Sequence, residues 1–126
     1  MGQRARLVVE KSGEICVAYI QDSAILDENN IKALAEELMT LAESRNKVKI
    51  LINFEKVEYL SSAVLGKLIA LHKKVAEMKG SLKLCGIRDT ILEVFRVTKL
   101  DKFFDIYDSQ QKAMKSFKSF SLFRRG

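Results

Sequence analysis

The chain has 126 residues, of which 48% are hydrophobic and 30% charged; this suits one compact domain with an ordinary core and excludes a disordered chain. The formal net charge is +6, and it is concentrated in residues 109–126, where Lys112, Lys115, Lys118, Arg124 and Arg125 stand without an acid; the nearly neutral remainder has no interleaving of basic and aromatic residues, which excludes a direct nucleic-acid face. No apolar run approaches a membrane span, "MGQRARLVVEK" is charged where a secretory signal is apolar, and Arg6 stands where myristoylation at Gly2 needs Ser or Thr, so the expected location is the cytoplasm.

Residues 7–11 and 14–20 read as strands, and the short Ser12-Gly13 link makes them a hairpin. Residues 28–44 read as a helix, with Ile31, Leu34, Ala35, Leu38, Leu41 and Ala42 on one face. Asp27, or an asparagine after it, is positioned to cap its start. "KVKILINF" at 47–54 is a strand whose Val48, Ile50 and Ile52 share one face, and Leu51 on the other face indicates burial on both sides. A second helix runs from about Ser62 to Lys79. Its face comprises Leu65, Leu68, Ile69, His72, Val75 and Ala76, widened by Val64, Leu71 and Met78, and Gly80 is expected as its left-handed C-cap.

A strand at 81–86 follows. "TILE" at 90–93 has the spacing of a capping box, which starts a third helix near Asp89 or Thr90 and carries it to about Thr98. "FFDIYD" at 103–108 is the last strand, and 109–121 the last helix. This order predicts an α/β domain with a mixed, mostly parallel central sheet, an N-terminal hairpin and about four helices. The helices at 28–44 and 62–79 are expected side by side on one face. Cys16 and Cys85 fall within strands and read as reduced core residues. With a single histidine in the chain, no metal site is expected.

Enzyme signatures are absent. His72 lies on an apolar helix face, "GSLKLCG" lacks the features of a phosphate-binding loop, and Glu36 and Glu37 read as a solvated face. His72 is also about 15 Å of helical rise from Ser62, too far to serve as a base for Ser61 or Ser62. These two serines sit at a strand-to-helix junction. One of them can cap the helix by accepting a backbone N–H. The same junction exposes unpaired N–H groups and positive partial charge, so a phosphate added there is tolerated without unfolding the domain.

At Ser61-Ser62-Ala63-Val64-Leu65-Gly66 the chain resembles the STAS domain of bacterial anti-sigma-factor antagonists, whose pattern there is D-S-[ST]-G-L-G. Leu65 and Gly66 set the register. Asp27, in "AILDENN", corresponds to the acidic residue of that family's loop after the second strand. "LKLCGIRDTILEVFRVTKLDKFFDIYDSQQKAM" is similar to its C-terminal half. Ser61 replaces the family aspartate, Ala63 the second Ser or Thr, and Val64 the first glycine.

The resemblance implies a single STAS domain over residues 1–126, with a core of about 7–115 and a basic tail at 116–126. It implies a non-enzymatic regulator without a cofactor that works by partner switching. Ser62 would be the phosphorylation site and Ser61 the secondary candidate. The partner-binding residues would be Asp27, Ser61, Ser62, Ala63 and Val64. The partners would be an anti-sigma factor with serine kinase activity, bound when Ser62 is unphosphorylated and released on phosphorylation, and a serine phosphatase. The alternatives are a non-switching structural STAS subunit of a signalling scaffold or lipid-transport complex and, third, an enzyme or nucleotide sensor. In the tail, Met114, Phe117, Phe120 and Phe123 recur at threes between basic residues. That pattern fits a contact with an anionic membrane or an acidic partner; the preferred reading is that Met114 and Phe117 close the core and the rest frays.

Overall fold

The computed structural model describes the backbone of residues 7–125 and the side chains of residues 7–117. Seven strands and four helices follow one another as β1 (Leu7–Ser12), β2 (Ile15–Ile20), β3 (Ala24–Ile25), α1 (Glu28–Ala42), β4 (Lys49–Asn53), β5 (Tyr59–Leu60), α2 (Ser62–Glu77), β6 (Ser81–Cys85), α3 (Asp89–Val97), β7 (Asp105–Tyr107) and α4 (Gln110–Arg125). The main sheet has the order β1-β2-β4-β6-β7, with β1 antiparallel to β2 and the other neighbours parallel. The hairpin closes with Ser12 opposite Ile15. Gly13 takes φ +63° in the two-residue turn, a conformation that tight hairpins demand and that glycine adopts without steric cost.

Alternation along the strands divides the core into two layers. Cys16, Ala18, Ile20, Ile50 and Ile52 face α1, α2 and α3, whose buried residues include Leu34, Leu38, Leu65, Leu68, Leu71, Ile91 and Phe95. Ile15, Val17, Leu51 and Cys85 face the other way, against Ala113 and Phe117 of α4. The apolar stripes of α1 and α2 therefore pack side by side on one face, as their sequence spacing predicts. Both cysteines are buried and free.

Several expectations are corrected. A second sheet, β3 paired in parallel with β5, was not foreseen. Two-residue strands carry no periodicity to read. Ala76 is exposed rather than part of the buried face. The strand expected at 103–108 is shorter, because Phe103 and Phe104 turn back to donate to the Leu100 carbonyl at 3.0 Å each. Thr90 does not cap α3. Arg88 holds the cap position without a side-chain bond, Thr90 lies inside the first turn, and Asp89 supplies its negative charge. The final helix extends past 121 to Arg125.

Gly80 is not the left-handed cap of α2. That conformation belongs to Lys79, at φ 59°, just past the C-cap of α2; Lys99, at 64°, stands likewise after α3, while Lys47, at 59°, lies in the turn that leads from α1 into β4. A left-handed residue other than glycine costs about 1–2 kcal/mol, and a cation at a helix C-terminus recovers about 0.3–1 kcal/mol of it. Gly80 serves a different need: a Cβ there would collide with the Val48 carbonyl oxygen. Its bare backbone lets the turns after α1 and α2 close together, with the Lys47 N–H on the Met78 carbonyl at 2.7 Å and the Ser81 N–H on the Val48 carbonyl at 2.9 Å.

Candidate functional site

Because β2, β4 and β6 run parallel, α1, α2 and α3 all begin beyond their carboxyl ends, the pole where α/β sheets commonly present sites. β3 and β5 bring two of these helix starts together. Ile25 pairs with Leu60, and the Ser61 N–H donates to the Ile25 carbonyl at 3.0 Å. Just past that pair, Asp27 and Ser61 are the N-cap residues of α1 and α2.

Each start is capped by its own side chain. Asp27 Oδ2 accepts the N–H groups of Asn29 and Asn30 at 3.1 and 3.2 Å. Ser61 Oγ accepts the Ala63 N–H at 3.2 Å, and its carbonyl accepts the Val64 N–H at 3.0 Å. Ser61 is thus the N-cap and Ser62 the first helical residue of α2. Ser62 is exposed. The resolved hydrogen bonds of the junction are made by Ser61, which leaves the Ser62 hydroxyl facing solvent.

Charge distinguishes α2 from its neighbours. The first turn of α1 carries Glu28 beside the Asp27 cap, and that of α3 carries Asp89, whereas the first turn of α2 has no acid. Its positive end is uncompensated, so it is the natural place for added negative charge.

The supporting loop is held from beneath. Buried Asn53 accepts the Glu55 N–H at 2.8 Å and donates to Gln110 Oε1 at 2.9 Å, and Gln110 donates to the Tyr19 hydroxyl at 2.9 Å. Glu58 and Tyr59 donate their N–H groups to the Ser23 carbonyl at 2.7 and 3.0 Å. Arg88, at the start of α3, reaches Glu58 at 3.7 Å. Burial, with the nearby Glu55 carboxylate, raises the Cys85 thiol from 9.0 to about 12, so it stays protonated and unreactive at neutral pH.

Asp27, Ser61, Ser62 and Ala63 are brought to one surface. Val64 is not: at 1% exposure it belongs to the core and offers a partner no side chain. Leu26 and Tyr59, 58% and 61% exposed, frame the serines and escaped sequence reading, because β3 and β5 are too short to separate inward from outward residues. His72 lies far along α2, against Phe103 with ring centroids 4.5 Å apart, and serves no nucleophile. Among the described residues no group of three metal-binding side chains assembles, and no helix is long and apolar enough to cross a membrane.

A parallel-sheet core with paired helix starts presenting a serine defines the STAS class, and a family model for the STAS domain matches residues 6–113. The chain belongs to the STAS domain family, among the anti-sigma-factor antagonists. It is 31% identical over 81 residues to the anti-sigma-B factor antagonist of Bacillus subtilis, covering 64% of this chain and 72% of that one. An anti-sigma-factor antagonist STAS domain protein from Planctomyces limnophilus has the same fold, with a TM-score of 0.80 at 23% identity over 90% of this chain and 98% of that one. The Bacillus cell fate determinant SpoIIAA in its phosphorylated form gives a TM-score of 0.64 at 17% identity over 88% and 98%.

Proposed function

We propose that this protein is an anti-sigma-factor antagonist that works by partner switching, with Ser62 as the switch. The observation that carries the reading is the exposed Ser62 at an uncompensated helix start, beside a separate serine that already caps the helix. A regulatory binding module, not an enzyme, fits a site where the neighbouring Asp27 carboxylate is engaged in capping α1 and His72 lies far along α2 against Phe103. The solved phosphorylated form of SpoIIAA, a fold neighbour, supports the same chemistry.

With Ser62 unphosphorylated, Leu26, Asp27, Tyr59, Ser61, Ser62 and Ala63 form the contact surface for an anti-sigma factor that is itself a serine kinase. Val64 and Leu65 anchor that surface in the core. Phosphorylation adds a charge of about −1.5 to −2 to the middle of the interface. Desolvating it opposes docking, and a hundredfold loss of affinity needs only about 2.7 kcal/mol. The positive end of α2, with no acid in its first turn, tolerates the phosphate without disturbing the fold, and a serine phosphatase resets the site. Ser61, which stands where the family has aspartate, is the secondary acceptor.

The test is incubation with the cognate kinase-type partner and ATP, followed by mapping of the phosphate by mass spectrometry. The expected outcome is phosphate on Ser62, permanent binding by Ser62→Ala, and weak binding by Ser62→Asp. Tight binding with Ser62 left unmodified would instead establish a non-switching structural subunit. Phosphate on Ser61 alone would move the switch by one residue.

A further inference from the structure

At the pole opposite Ser62, where the parallel strands begin, lies a cavity of about 650 Å³ walled by Lys47, Lys49, Lys79 and Lys83 with His72 and Phe117. Two of the lysines are paired: Lys49 with Glu14 and Lys83 with Asp105, each at 3.3 Å. Lys83 is also held in place, its side chain only 13% exposed and its ammonium 5.0 Å from the Phe117 ring centroid and 5.3 Å from that of Tyr107.

Lys47 and Lys79 differ from these. Neither has a carboxylate partner among the described residues. Both occupy left-handed backbone positions, where glycine or asparagine would be easier; of the two, Lys79 alone stands at a helix end, whose attraction recovers part of that cost. The close approach at Gly80 then brings their two turns together through the bond from the Lys47 N–H to the Met78 carbonyl. Two lysines without a carboxylate partner thus line the cavity together with two that are paired.

We propose that this cavity binds a small oligophosphate, a soluble molecule carrying two or more linked phosphate groups. Its volume falls in the range of small-molecule sites, about 300–1,000 Å³. Lysine ammonium groups meet phosphate oxygens as point charges, without the planar geometry an arginine imposes. A single phosphate must compete with Glu14 and Asp105 for two of the four lysines. A linked pair or triplet also engages Lys47 and Lys79, which have no competitor. The concave wall suits a molecule that enters it rather than a flat lipid surface.

The test is calorimetric titration of the full chain with tripolyphosphate and, separately, with orthophosphate. The expected results are saturable binding of tripolyphosphate and binding of orthophosphate weaker by about tenfold or more. Lys47→Asn combined with Lys79→Asn keeps residues suited to the left-handed backbone and removes both charges. Its unliganded melting temperature should equal or exceed that of the parent, and its affinity for tripolyphosphate should fall by about tenfold or more. Ser62→Ala should bind tripolyphosphate as the parent does, which separates this site from the switch. Absence of saturable binding at millimolar tripolyphosphate, or undiminished binding by the double variant, would overturn the proposal. So would pelleting on phosphatidylglycerol vesicles that requires Lys47 and Lys79 while tripolyphosphate fails to bind, since that would assign the lysines to a lipid headgroup.

Discussion

Replacing Ser61 with alanine removes the acceptor of the Ala63 N–H and should lower stability by about 1 kcal/mol, the usual cost of a lost N-cap. Replacing Ser62, whose side chain is exposed, should change stability by no more than about 0.5 kcal/mol. Urea unfolding of both variants checks this. Equal losses would mean that the two serines share the cap. Which serine is exposed and which one caps was legible in part: a strand-to-helix junction narrows the choice to two residues, and the Leu65-Gly66 register selects between them. The outward turn of Leu26 and Tyr59 was not legible, since each lies in or beside a two-residue strand. The burial of Val64 was legible, since helical periodicity put it on the apolar face of α2; the family resemblance had placed it among the contact residues as well.

Gly80 supports a prediction for the elements around it. Alanine there puts a methyl group into the Val48 carbonyl, and the backbone must shift to accept it. Gly80→Ala should therefore cost about 1–3 kcal/mol, the range for overpacking, read as a lower urea midpoint. A variant as stable as the parent would show that the two turns can part freely. The longer elements were readable because their apolar residues repeat every two or every 3.6 positions over several cycles, as in α1, α2 and β4. What escaped is set by contacts between distant segments. The β3–β5 pair depends on neighbours 35 residues apart. The left-handed lysines depend on how two turns meet, which overrides the local preference for glycine. The Thr90–Glu93 spacing imitated a capping box, whereas α3 starts one residue earlier, at Asp89, with Arg88 in the cap position.

At the scale of the molecule, α4 is the element that covers its face of the sheet among the described residues, and Phe117 is buried among Ile15, Val17, Leu51, Cys85 and Ala113. A chain ending at Ser116 loses that ring and should be less stable than one ending at Lys118 by about 3–5 kcal/mol, the usual cost of deleting a buried phenylalanine. Thermal unfolding of the pair measures the difference, and equal melting temperatures would refute the sealing role. Met114 and Phe117 thus fill the place expected of them, while the side chains of Phe120 and Phe123 lie outside the described ones. A membrane contact of the tail should therefore be sought by comparing the full chain with the chain ending at Lys118, in which the core is intact. Equal pelleting of the two on anionic vesicles would remove that contact.

The small β3–β5 ladder also bears on when the site comes into being during synthesis. Parallel strands cannot be joined by a tight turn, so this pair closes only after the intervening α1 and β4 have been made and placed. A chain interrupted before β5 carries Asp27 without the serines that stand beside it in the fold. The juxtaposition of the two helix starts is therefore made by a contact distant in sequence and cannot precede the synthesis of Leu60.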